Sequence, residues 1–179
     1  MYSAGKIEGV KYQSLRVSLL LFAALFSLFL LLKYTFPDEN LSKWLLLSLL
    51  ILVYEIVEFW RFLPLNKRNQ TAETFENLGI GTHLTLLRGF LIACTGGFLA
   101  IQKPEGVALW IPGLLYTLAA LFDRFDGYFA RRQNLTSILG REIDMRFDAL
   151  GILVACSLGV RYQQLPMWYL SVGIVYYLF

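Results

Sequence analysis

The sequence predicts an all-α fold, a polytopic membrane helix bundle of about six transmembrane helices. Three observations lead there. The 179-residue chain is 57% hydrophobic and 16% charged, against about 25% charged residues in an ordinary soluble domain. Its mean hydropathy is +0.56. Its apolar residues form continuous runs, not the alternating segments of about ten residues that a membrane β-barrel needs. A net charge of +3 is too small to point to nucleic acid, so no nucleic-acid partner is expected.

The apolar runs are 17–36, 41–62, 84–101, 107–130, 146–162 and 165–179. A helix crossing ~30 Å of hydrocarbon needs about 20 residues, which the first four supply. The first run follows Lys6, Lys11 and Arg16 and lacks a small-x-small cleavage site, so it reads as a retained anchor and not a signal peptide. The second carries Glu55 and Glu58, with Glu58 and Arg61 spaced for a helix-end ion pair. The polar stretch RFLPLNKRNQTAETFENLGIGTH (61–83) follows, ending in the lone histidine, His83, which reads as interfacial. The fifth run is short but extends back through aspartate-bearing turns. The sixth stops at Phe179 and is expected to be cut off inside a longer protein. Cys94 and Cys156 sit in apolar runs and read as small buried residues, not a disulfide or metal pair. Trp44, Trp60, Trp110 and Trp168 read as an interfacial aromatic belt.

Basic residues cluster at the N-terminus (Lys6, Lys11, Arg16), after the second run (Arg61, Lys67, Arg68, with Arg88 near) and after the fourth (Arg131, Arg132, Arg141, Arg146). With alternating helices these regions share one side, which the positive-inside rule makes cytoplasmic. The expected setting is a bacterial cytoplasmic membrane or its equivalent.

That side carries DRFDGYFARRQNLTSILGREIDMRFD, residues 123–148. Asp123 and Asp126 are three apart, and Asp144 and Asp148 four apart, so each pair shares a helix face. The connector Arg131–Ile143 is long enough to turn the chain and let the pairs converge. Four converged carboxylates repel one another, and two divalent cations relieve that repulsion. Hard oxygen donors suit Mg²⁺ or Mn²⁺ and the phosphates those ions hold. Gly127 and Ala130 follow Asp126 on nearly the same face and leave room for a flat ligand. Gly140, one turn before Asp144, also allows close approach. Arg131 stands where a guanidinium can grip a diphosphate.

The pattern Asp123-x₂-Asp126-Gly127-x₂-Ala130-Arg131-x₈-Gly140-x₃-Asp144-x₃-Asp148 resembles, at every fixed position, the signature of the CDP-alcohol phosphotransferase family. The resemblance spans roughly residues 77–179. It implies a core of six transmembrane helices with the motif on the second and third, facing the cytosol. It also implies transfer of a substituted phosphate from a CDP-linked lipid donor, such as CDP-diacylglycerol, to an acceptor alcohol with release of CMP. By the same resemblance, Asp123, Asp126, Asp144 and Asp148 hold two divalent cations, and Asp148 is the general base. Gly127, Ala130 and Gly140 line the cytidine pocket, and Arg131 contacts phosphate. GTHLTLLRG resembles the segment opening the family's first core helix. Thr85 and Arg88 match it as contacts of the CDP moiety, whereas Gly81 and Thr82 replace its Pro-Asn. Membrane lipid and a second copy of the chain, as a homodimer, are the other implied partners.

The expected organisation is an N-terminal two-helix membrane extension (1–63), a cytoplasmic connector (64–76) and a core (77–179) lacking the family's last two helices. Three other readings compete. A membrane prenyltransferase also uses aspartate-held metal, but its pairs lie far apart in sequence. A cation transporter distributes acids at mid-membrane depth along several helices. A truncated, inactive homologue keeps the motif without the activity.

Overall fold

The computed structural model describes residues 2–35, 40–68, 74–132 and 137–178, with side chains for 8–35, 40–68, 74–125 and 137–177. Those residues form six α-helices: α1 (Tyr2–Thr35), α2 (Leu41–Phe62), α3 (Ile80–Gly97), α4 (Ile111–Arg132), α5 (Ile138–Arg161) and α6 (Tyr169–Leu178). Helices satisfy backbone polar groups internally, which hydrocarbon demands. Glu8–Thr35, Ile80–Ala100 and Gly106–Phe125 are long and apolar enough to cross a membrane. The other helices depart from that standard for visible reasons. α2 includes Glu55, Glu58 and Arg61, α5 opens with a charged half, and α6 has ten residues.

Local chemistry sets the helix ends. Pro64 stands in the 3₁₀ turn that closes α2, and Pro112 sits in the first turn of α4, where a missing N–H is harmless. Ser137 caps α5, its Oγ accepting the Gly140 N–H at 2.9 Å. This corrects the expected connector of 131–143. With α4 reaching Arg132 and α5 starting at Ile138, that connector reduces to 133–137. The reason is packing as well as the cap. Leu139, Ile143, Phe147, Leu150, Val154 and Leu158 form one buried stripe at helical spacing. The far end of α5 stops where Gln163 turns to φ 58° and the Gln164 N–H reaches back to the Gly159 carbonyl at 2.8 Å, a Schellman-type reversal.

α3 is the buried centre, packed by α2, α4 and α5, while α6 lies against α5 and α1 against α2. Glycines on α3 admit α2 closely, as membrane helix contacts favour. A Cβ on Gly97 would meet the Trp44 ring at 2.7 and 2.8 Å. Trp44 is fully buried and donates from Nε1 to the Cys94 carbonyl at 3.0 Å. It is therefore a core residue, contrary to the expected belt, because the glycine gap gives its ring a place and the carbonyl gives its N–H a partner. Trp60 is half-buried, bonding Ser18 Oγ at 3.2 Å, whereas Trp110 and Trp168 are exposed. The side chain of Gln13 in α1 ties down the start of α3, accepting from Leu78 N at 3.1 Å and donating to Asn77 Oδ1 at 2.7 Å. Cys94 and Cys156 are both free and buried.

Candidate metal and nucleotide site

Helices α3, α4 and α5 bring three of the expected aspartates together. Carboxylate oxygens of Asp123, Asp144 and Asp148 all lie within 4.8 Å of one another. Asp144 and Asp148 sit one turn apart on α5, beside the buried Ile143 and Phe147 that seat that helix. Asp123 comes from α4, which α3 holds in place. The side chains of Asp126, Gly127, Ala130 and Arg131 lie outside the described residues. The α4 backbone continues through all four positions.

Arg88 occupies the middle of the cluster. Its Nη1 pairs with Asp123 Oδ1 and stands 2.9 Å from Asp144 Oδ1. Its Nη2 donates to the Asp144 carbonyl at 3.0 Å and lies 3.4 Å from Asp148 Oδ1. The Arg88 side chain is 2% exposed, against 42%, 37% and 40% for Asp123, Asp144 and Asp148. The guanidinium thus forms the floor, and the carboxylates open outward. The sequence pattern linked Arg88 to a nucleotide; the fold puts it among the carboxylates. Thr85, one turn earlier on α3, is buried and donates to the Gly81 carbonyl at 3.0 Å. A Cβ on Gly140 would meet Ser137 Oγ at 3.2 Å and Thr82 Oγ1 at 3.9 Å. Thr82 thereby joins Gly140 at the α3–α5 crossing.

The donor set fits divalent cations. Three carboxylates against one guanidinium leave a net negative charge, and every carboxylate oxygen is a hard donor. Asp144 Oδ1 is buried and, among the described residues, has no hydrogen-bond partner. Burial raises the Asp144 pKa above its ordinary value, opposed by the Arg88 charge and reinforced by that of Asp123. Asp144 lies ahead of the apolar part of α5, on the polar rim.

Two features beside the site were not expected from sequence. Glu58 of α2 pairs with Arg146 of α5 at 3.0 Å, in addition to the expected Arg61 pair at 3.4 Å; Arg146 also stacks over Phe62 at 4.6 Å. A cavity of about 960 Å³ opens between α2, α5 and α6, with Asp148, Arg146, Tyr54, Met145, Val172 and Val175 in its wall. Its lining mixes charge, hydroxyl and hydrocarbon.

Residues 79–179 match the family described as CDP-alcohol phosphatidyltransferase. A curated relative, CDP-diacylglycerol--glycerol-3-phosphate 3-phosphatidyltransferase of Wigglesworthia glossinidia brevipalpis, is 33% identical over 85 residues, covering 48% of this chain and 46% of that protein. The match thus spans about half the length of the relative. No solved structure matches the chain.

Proposed function

The chain belongs to the CDP-alcohol phosphatidyltransferase family, and from that premise we propose that it transfers a phosphatidyl group from CDP-diacylglycerol or a similar CDP-alcohol to an acceptor alcohol, releasing CMP. The observation that carries the reading is the convergence of Asp123, Asp144 and Asp148 from two helices onto one point. Asp126 completes the set on the sequence pattern. When bound, two divalent cations would neutralise the diphosphate and the leaving CMP.

The chain's own residues account for the rest. Asp148 lies in the wall of the cavity between α2, α5 and α6. There it takes the proton of an acceptor hydroxyl as the oxygen–phosphorus bond forms and the bond to CMP breaks. Before metal binds, Arg88 holds the aspartates in register. Gly127, Ala130 and Gly140 allow the cytidine to approach, with Arg131 and Thr85 at the phosphate and nucleotide. The mixed cavity lets a headgroup and acyl chains meet at one carboxylate. On this reading the site faces the cytoplasm, as the clustered basic residues favour. α2 also crosses the membrane on this reading, since Glu55 and Glu58 are buried inside the bundle and not turned to lipid. The active unit is a homodimer, to be tested by cross-linking in vesicles.

Purified full-length chain, assayed for Mg²⁺- or Mn²⁺-dependent CMP release from CDP-diacylglycerol, tests the proposal. Glycerol 3-phosphate heads the acceptor panel because the curated relative is named for it. Release that depends on both metal and acceptor is the expected result. No release with any donor or acceptor overturns it and favours an inactive homologue. Family membership speaks against prenyl transfer, and the convergence of Asp123, Asp144 and Asp148 at one point speaks against cation transport.

A further inference from the structure

Glu55 plays no part in the chemistry above. It stands on α2, outside the stretch that matches the family, and is 1% exposed. Neither carboxylate oxygen has a hydrogen-bond partner among the described residues. A carboxyl in that condition is costly to ionise, so Glu55 carries a charge only where a cation comes to it. Its carboxyl carbon lies 3.1 Å from where a Cβ on Gly89 would stand, next in sequence to Arg88. Arg88 is also the cation whose charge acts on it. The absent side chain at Gly89 is what leaves Glu55 room beside that turn of α3.

Arg88 meanwhile serves as counterion to the three aspartates. A guanidinium and divalent cations compete for the same oxygens and repel one another at that range. We propose that Glu55 is a positioning residue for the metal centre: the carboxylate to which Arg88 turns as Asp123, Asp144 and Asp148 take up divalent cations. The inference rests on the metal reading of the preceding subsection. Arg88 then has a counterion in both states, the aspartates without metal and Glu55 with it. The N-terminal helix pair contributes to the chemistry through that exchange.

The test measures Mn²⁺ binding by electron paramagnetic resonance of the free ion, on purified full-length chain. Glu55→Gln keeps the shape and removes the ability to ionise. Mn²⁺ affinity is expected to fall about 10- to 100-fold, the usual effect of removing a group that supports metal ligands. The melting temperature without metal should hold, because the shape is kept and the carboxyl has no hydrogen bond to lose among the described residues. Glu55→Asp, which keeps the charge, should recover most of the affinity. Unchanged Mn²⁺ affinity in a folded Glu55→Gln protein overturns the inference. Absence of Mn²⁺ binding by the wild-type chain overturns the metal reading itself, a separate result. A measurement on the wild type covers the case of a variant that does not fold. The side-chain Nε–H resonance of Arg88, identified by its loss in Arg88→Lys, should shift on Mg²⁺ addition, and an unmoved resonance overturns the exchange.

Discussion

Arg88 Nη1 lies 2.9 Å from Asp144 Oδ1, yet that oxygen is buried without a hydrogen-bond partner among the described residues. The pair is joined by charge and not by direction. Asp144 therefore keeps a lone pair free for another cation, while the guanidinium limits the repulsion that would otherwise spread the carboxylates.

Asp148 should be indispensable to turnover and dispensable to donor binding. Asp148→Asn is expected to lower kcat by at least ~100-fold, as loss of a general base does, with CDP-lipid binding largely retained. CMP release and equilibrium binding of a CDP-lipid measure the two effects. Undiminished turnover would remove Asp148 from the base role.

Metal should stabilise the protein more as pH rises. The raised Asp144 pKa means the metal-free fold disfavours the ionised form relative to the unfolded chain. Its contribution to stability is present below the unfolded-state pKa and is lost as pH climbs through the raised folded-state value. Metal binds the ionised form and offsets that loss. The Mg²⁺-induced rise in melting temperature is thus expected to grow from mildly acidic to neutral pH. A rise that shrinks with pH would contradict the assignment.

Two glycines should respond to alanine with opposite signs. At Gly89 the added Cβ would meet Phe147 ring atoms at 2.6 and 2.9 Å, so overpacking should cost about 1–3 kcal/mol. At Gly113, in the first turn of α4, nothing lies within 4 Å. There alanine should be neutral or stabilising by up to about 1 kcal/mol. Melting temperatures in one detergent compare them.

Trp44→Phe should cost about 0.5–1.5 kcal/mol through the lost bond to the Cys94 carbonyl, plus the smaller ring's loss of packing. A true belt residue would show almost no change, so chemical denaturation distinguishes the two placements.

The convergence of Asp123, Asp144 and Asp148 was legible because helical spacing and charge repulsion both act locally. The all-helical bundle was legible in the continuous apolar runs. The start of α5 was not, because GREIDMRFD reads as polar until Leu139, Ile143 and Phe147 are seen to share a buried face. Nor was the place of Arg88, separated from Asp123 by 35 positions, since only the packing of α3 on α4 joins them. Glu55 did leave a trace, a carboxylate inside an apolar run. What it faces depends on the glycine at position 89, which no periodicity reveals. Trp44 misled for a related reason: tryptophan near a helix end suits a membrane interface, and only the Gly97 gap draws it inward.

The bare backbone of α3 at Gly89, Gly96 and Gly97, against which Glu55, Ile51, Ser48 and Trp44 rest, has a mechanical consequence. Side chains normally cushion one helix against another by changing rotamer. Here only the α2 side chains can adjust, because the α3 peptide groups they rest on cannot yield that way. The contact has less freedom to yield than one cushioned from both sides, which ties the position of α2 to the stretch of α3 that follows Arg88.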